Sequence, residues 1–122
     1  MPWYAASAIL YVRFKDGHQT TYPIWENVLL IEAVDAAEAQ EKAFRRAQAD
    51  EGDSNASFTW DDRPAEWVCA GIRKLLTVSH PFADHQPVDG AEVTYSEFTV
   101  PDAETLHQLV AGEAVYLRYE SE

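Results

Sequence analysis

Apolar and polar positions alternate from Trp3 to Phe14. Ala6, Ala8, Leu10, Val12 and Phe14 fall on one side, and Ala5, Ser7, Ile9, Tyr11 and Arg13 on the other. A period of two predicts a strand. Lys15-Asp16-Gly17-His18 reads as a turn. A second strand begins after Pro23, near Ile24-Trp25, and runs through Val28-Leu29-Leu30-Ile31-Glu32-Ala33-Val34. The two strands are expected to pair antiparallel. The 28–34 run is apolar at nearly every position, the pattern of a strand covered on both faces. It is therefore expected to be the element around which the chain is organised.

The period then changes. Asp35 fits an N-cap and Glu38, three residues on, completes a capping box. A helix is predicted from about Ala36 to Ala49, with Glu38–Lys42 and Glu41–Arg45 as i,i+4 pairs. Its apolar stripe is mostly alanine, so it can lie close to a sheet. Phe44 is its one large anchor, and Phe44→Ala costs roughly 3–5 kcal/mol if that ring is fully buried. Gly52 is the expected stop.

Phe58-Thr59-Trp60 reads as a short strand, followed by a turn at Asp61-Asp62-Arg63-Pro64. Glu66 to Val78 is the next long strand. Val68, Ala70 and Ile72 suggest its buried face, Lys74 interrupts that face, and Gly71 marks a bulge. Residues 79–91 form a loop. Glu92 to Val100 alternates as a strand, Pro101-Asp102 opens a short helix with Leu106, Leu109 and Val110 on its apolar face, and Ala114 to Tyr119 closes the chain as a strand. The order β-β-α-β-β-α-β predicts an α+β fold. It is a mainly antiparallel, twisted sheet with one long helix packed on a face and a second, short helix. Two strands look apolar on both faces and only one helix is long. Either the second helix and the 79–91 loop cover the remaining face or a second subunit does, and a homodimer is the expectation.

A length of 122 residues predicts one domain spanning 1–122. Cys69 is the single cysteine, which excludes an internal disulfide framework and suits a reducing compartment. No apolar run approaches the roughly 20 residues of a spanning helix, and Met-Pro-Trp-Tyr lacks a charged n-region. A cytoplasmic protein is expected. The formal net charge of −12 argues against nucleic acid. It favours either simple solvation or a basic protein partner drawn in by electrostatic steering.

Trp3-Tyr4-Ala5-Ala6, the 36–47 helix after an apolar strand, Gly71-Ile72-Arg73-Lys74-Leu75 and Glu92-Val93-Thr94-Tyr95-Ser96-Glu97 occur in this order. Together they resemble the bacterial domain-of-unknown-function family 4288, over most of residues 3 to 100. The resemblance implies a compact α+β domain and no activity. It supplies no catalytic residues. Some small acidic α+β domains act as immunity proteins to toxins, an analogy at the level of fold alone.

Candidate chemistry is thin. His80, Asp84 and His85 have metal-ligand side chains, but their spacing matches no strong zinc pattern. Cys69 between Val68 and Ala70 reads as a small core residue rather than a nucleophile. Asp61 and Asp62, with Glu66 and the flanking Trp60 and Trp67, have the residue types of a glycosidase pair. Adjacent acids in a proline-containing turn usually face water. No catalytic, cofactor-binding or metal-binding residues are assigned, and no cofactor. The aromatic content is more informative, because Trp and Tyr bury large areas while keeping a polar tip. Trp25, Trp60, Asp61, Asp62, Trp67 and Tyr95 are the candidate interaction surface, set against the plainer reading of a core built from large side chains. The function expected is a non-enzymatic binding protein, such as an immunity-type inhibitor of a basic protein. The alternative is a small-molecule binder or enzyme with a pocket between the sheet and loop 79–91.

Overall fold

The computed structural model describes residues 1–78 and 89–120, and residues 82–83 and 86–87 as backbone. The elements are β1 (Trp3–Phe14), β2 (Ile24–Glu32), α1 (Ala36–Gln48), β3 (Thr59–Trp60), β4 (Arg63–Thr77), β5 (Phe82–Ala83), β6 (Gln86–Pro87), β7 (Phe98–Thr99), α2 (Ala103–Val110) and β8 (Arg118–Tyr119). The fold is α+β. Its main sheet is antiparallel with order β2-β1-β4-β3, and β5-β6 and β7-β8 are two-residue ribbons.

The centre of this sheet is β1, not the 28–34 run. Its partners are β2 on one side and β4 on the other, and Ala5, Ala6, Ala8 and Val12 are fully buried. Small side chains at Ala6 and Ala8 let α1 approach closely. The helix answers with its own alanines, Ala39, Ala43 and Ala47, one turn apart. Asp35 caps α1 by accepting from the Glu38 N–H at 2.8 Å, and Glu41 meets Arg45 at 3.7 Å, as the sequence predicts. Lys42 instead donates to the Glu32 carbonyl at 2.5 Å, tying the helix to the end of β2. Phe44 lies one residue, about 100° of turn, off the alanine stripe and is 36% exposed. It is not the anchor, and the full-burial cost expected for Phe44→Ala does not apply.

The covered-both-faces reading of 28–34 is overturned. β2 is an edge strand. Leu29 and Ile31 turn toward α1, whereas Val28 and Leu30 on the opposite face are 45% and 42% exposed. Continuous apolar sequence marks a strand here, but neighbour pairing decides whether it lies inside the sheet.

Gly71 lies between two one-residue register shifts in β4, as the bulge reading requires. Ile9 faces Gly71 and Leu10 faces Cys69, leaving Ala70 unpaired; Ser7 faces Lys74 and Ala8 faces Ile72, leaving Arg73 unpaired. The first shift flips alternation, so Ile72 joins Trp67 and Cys69 on the helix side rather than Val68 and Ala70. The second shift puts Leu75 on the helix side and Lys74 beside Ser7 on the other. Lys74 is therefore no break in the helix-side face.

The carboxyl-terminal third departs most from expectation. Residues 92–97 are not a strand, and among the described residues from 92 onward only Phe98–Thr99 and Arg118–Tyr119 pair. The Tyr95 carbonyl accepts from buried Lys74 instead of from a ladder. Tyr119 lies over the Arg73 guanidinium at 4.1 Å. α2 forms with Asp102 as its cap, but no residue of it is buried, and Val110 is exposed. It does not seal the sheet's second face.

Candidate functional site

Register brings the tryptophans together. Trp25 faces Leu10 across the β2–β1 ladder, and Trp67 faces Val12 across β1–β4. The two indoles therefore flank the same stretch of β1 on the helix side. Their centroids are 5.4 Å apart at 70°, an edge-to-face contact. Trp60 meets Trp67 at 6.1 Å and 80°, and Phe58 meets it at 5.7 Å. Trp67 is half-buried and is the hub, while Trp25 remains 56% exposed. Just past the end of α1, Gly52 and Trp67 exchange both backbone hydrogen bonds, at 3.1 and 2.8 Å. The expected helix stop is thus a latch holding Asp50 beside the tryptophans. A cavity of about 190 Å³ lies there, lined by Leu10, Trp25, Asn27, Asp50 and Trp67.

Asp61 and Asp62 form the two-residue loop of the β3–β4 hairpin, with φ of 51° and 58°. Both central residues at positive φ make a type I′ turn, where Asp is tolerated and the twist matches the strands. Both are exposed, and neither forms a side-chain hydrogen bond or ion pair among the described residues. The other acids of this region are engaged. Glu66 pairs with Arg13 at 2.6 Å, Asp53 pairs with Lys15, Glu51 accepts from the Cys69 N–H at 2.8 Å, and Asp50 meets Arg46 at 3.5 Å. Glu66 is used up across the β1–β4 ladder, so Asp61, Asp62 and Glu66 do not converge as a catalytic pair would. Of the six candidate surface residues, Trp25, Trp60 and Trp67 are joined. Asp61 and Asp62 follow Trp60 directly. Tyr95 is elsewhere, with its ring 5.6 Å from the Lys74 ammonium.

Burial pushes the Cys69 thiol up, and the Glu51 charge adds to this, the opposite of what a thiolate nucleophile needs. His80, Asp84 and His85 lie outside the described residues, as do Ser79, Pro81 and Val88 of loop 79–91. Among the described residues no three His, Cys, Asp or Glu side chains cluster as metal ligands would, and no helix is long and apolar enough to cross a membrane.

A second hollow, of about 590 Å³, lies between the β1–β2 turn and Arg63, with Phe14, Asp16 and Gln19 on its wall. Arg63, Asp16 and Gln19 on its wall are engaged within the fold. The Arg63 guanidinium donates to Asp16 at 2.7 and 2.9 Å and lies 3.8 Å over Phe14, and Gln19 donates to the Val12 and Thr21 carbonyls. The Arg63 hydrogen bonds, with the His18 N–H, hold the Asp16 carboxyl at about 2, below its usual 3.8. Because the folded value is depressed, the unfolded chain binds more protons in this range. The stabilisation from Asp16 is whole above about pH 4 and is lost as pH falls through 3.8 toward 2. Asp16→Asn is thus expected to be less stable than the parent at pH 6, with the gap closing by pH 2 in urea titrations. A gap independent of pH would refute the linkage.

The family model for a domain of unknown function, DUF4288, matches residues 3–96. The chain belongs to this family. The matched span holds the whole main sheet, α1 and the tryptophan group, and ends before α2 and β7. No curated protein and no solved structure matches the chain.

Proposed function

We propose that this member of the family is a non-enzymatic binding protein that takes a cationic side chain of a basic protein partner at the Trp25–Trp67 hollow. The observation that carries this reading is the exposed Trp25 indole beside Trp67, with Asp50 at the rim of the cavity, in a chain of net charge −12. Indole faces attract guanidinium and ammonium groups, and the Asp50 carboxylate, exposed and held by Arg46 only at 3.5 Å, adds a charge-assisted bond. The exposed acids Asp61 and Asp62, next to Trp60 in the chain, extend the negative field and favour fast encounter with a positive surface. At about 190 Å³ the cavity is smaller than the roughly 300–1,000 Å³ of small-molecule sites. That size suits one side chain better than a substrate. Inhibition of a basic toxin is one role such a surface fits.

Calorimetric titration with nona-arginine tests the site. Binding is expected at low ionic strength and to weaken in about 0.5 M salt, where charges are screened within a few ångströms. Trp25→Ala should weaken it about tenfold, and Tyr95→Ala should leave it unchanged. Equal affinity for Trp25→Ala and the parent protein would reduce the binding to bulk charge attraction and reject the site.

A further inference from the structure

The outer edge of β2 has a defined hydrogen-bonding phase. Just beyond the ends of the β1–β2 ladder, the Val12 N–H donates to the Pro23 carbonyl at 3.0 Å and the Ala33 N–H to the Pro2 carbonyl at 3.2 Å. Bonded pairs alternate along an antiparallel ladder. With Trp3 opposite Glu32 and Tyr11 opposite Ile24, the backbone groups of Trp25, Asn27, Leu29 and Ile31 turn toward β1. Those of Ile24, Glu26, Val28 and Leu30 turn outward, and among the described residues nothing pairs with them.

Natural edges are usually blunted by proline, lysine, a bulge or a short length. β2 is nine residues long, contains no proline, glycine or lysine, and pairs with β1 without a register shift. Its guards are acidic, Glu26 and Glu32. On one face the outward-turned residues carry exposed Val28 and Leu30; on the other, Trp25 leads into the cavity with Asp50. A strand laid along this edge would set alternate side chains on Val28 and Leu30, and the intervening ones beside Trp25 and Asn27.

We propose that β2 receives an extended basic segment of the partner as an added strand, alternating apolar residues over Val28 and Leu30 with a Lys or Arg at the Trp25–Asp50 cavity. This rests on the binding function above and specifies how the partner docks, by main-chain bonds for affinity and side-chain pockets for selectivity. Asp50 beside Trp25 and the net charge of −12 complement a basic segment and oppose a second copy of this chain, while Glu26, on the Val28 face, is held by Arg73 at 3.8 Å.

The probe is a nine-residue peptide alternating valine and lysine, compared with the same peptide N-methylated at its valine amides. N-methylation keeps charge and side chains but removes the donors a new ladder needs. The unmodified peptide is expected to bind at least tenfold more tightly and to slow amide exchange at Ile24, Val28 and Leu30. Val28→Pro removes an outward N–H that bonds nothing in β1, so the sheet is retained while the peptide affinity falls about tenfold. Equal binding of both peptides, with Trp25→Ala weakening both, would overturn strand addition and leave the cationic site standing. Failure of both peptides while nona-arginine binds would overturn strand addition in the same way. Failure of nona-arginine as well would reject the site itself. A free chain that sediments as a dimer, and as a monomer after Val28→Pro, would assign the edge to a second copy and overturn the proposal.

Discussion

Trp67→Ala is expected to lower the unfolding free energy by about 3 kcal/mol, the low end of the range for aromatic truncation because the ring is half-buried. Its side chain joins several parts of the structure. Its ring meets Trp25 on β2, Phe58 in the loop before β3 and Trp60 on β3. It packs against the cluster around Leu10 and Ala47 and against the one around Val12, Phe14 and Ala65. Its backbone holds Gly52 just past the end of α1. Removal leaves a void that rigid strand backbones on both sides cannot close, so a cavity cost adds to the lost transfer energy. Against a typical total of about 5–15 kcal/mol this is a large fraction. Urea denaturation reads it as a lower midpoint with an unchanged slope. A loss below about 1 kcal/mol would mean that the ring is peripheral and the two clusters stand independently.

Local chemistry in the chain was legible. The Asp35 cap, the turn at Asp61-Asp62 and the irregularity around Gly71 each depend on neighbours within a few residues, although Arg63 and Pro64, expected in the turn, already belong to β4 and pair with β3. Strand rank was not legible, because it depends on partners far away in sequence. The 28–34 run is more apolar than Ala5-Ala6-Ser7-Ala8, yet the small residues occupy the centre. Only they let Ala39, Ala43 and Ala47 close on the sheet. The carboxyl-terminal alternation at 92–97 misled for a related reason: a buried cation captured a carbonyl that a ladder would have used. For the candidate site, composition singled out Trp25, Trp60 and Trp67, which the fold joins through Trp67. Their meeting across β1, and the arrival of Asp50 through the Gly52 latch, follow from register alone.

That captured carbonyl gives the second large effect. Lys74→Ala is expected to cost about 2 kcal/mol and to free the segment around Tyr95. Lys74 is 7% exposed and is aimed at the Tyr95 carbonyl, with the Ser96 hydroxyl at 3.4 Å. Hydrogen bonds to charged groups contribute about 1.5–3 kcal/mol, and truncation also removes the packing of the lysine stem. Relief of the desolvated cation offsets part of this, which sets the value near the middle of that range. Lys74→Met separates the terms, since it keeps the stem and removes only the charge and donors. The alanine variant should lose more stability than the methionine variant. Both should show faster amide exchange in residues 92–99, with α1 unchanged. Unaltered exchange at 92–99 in both variants would mean that another contact holds this segment on the sheet.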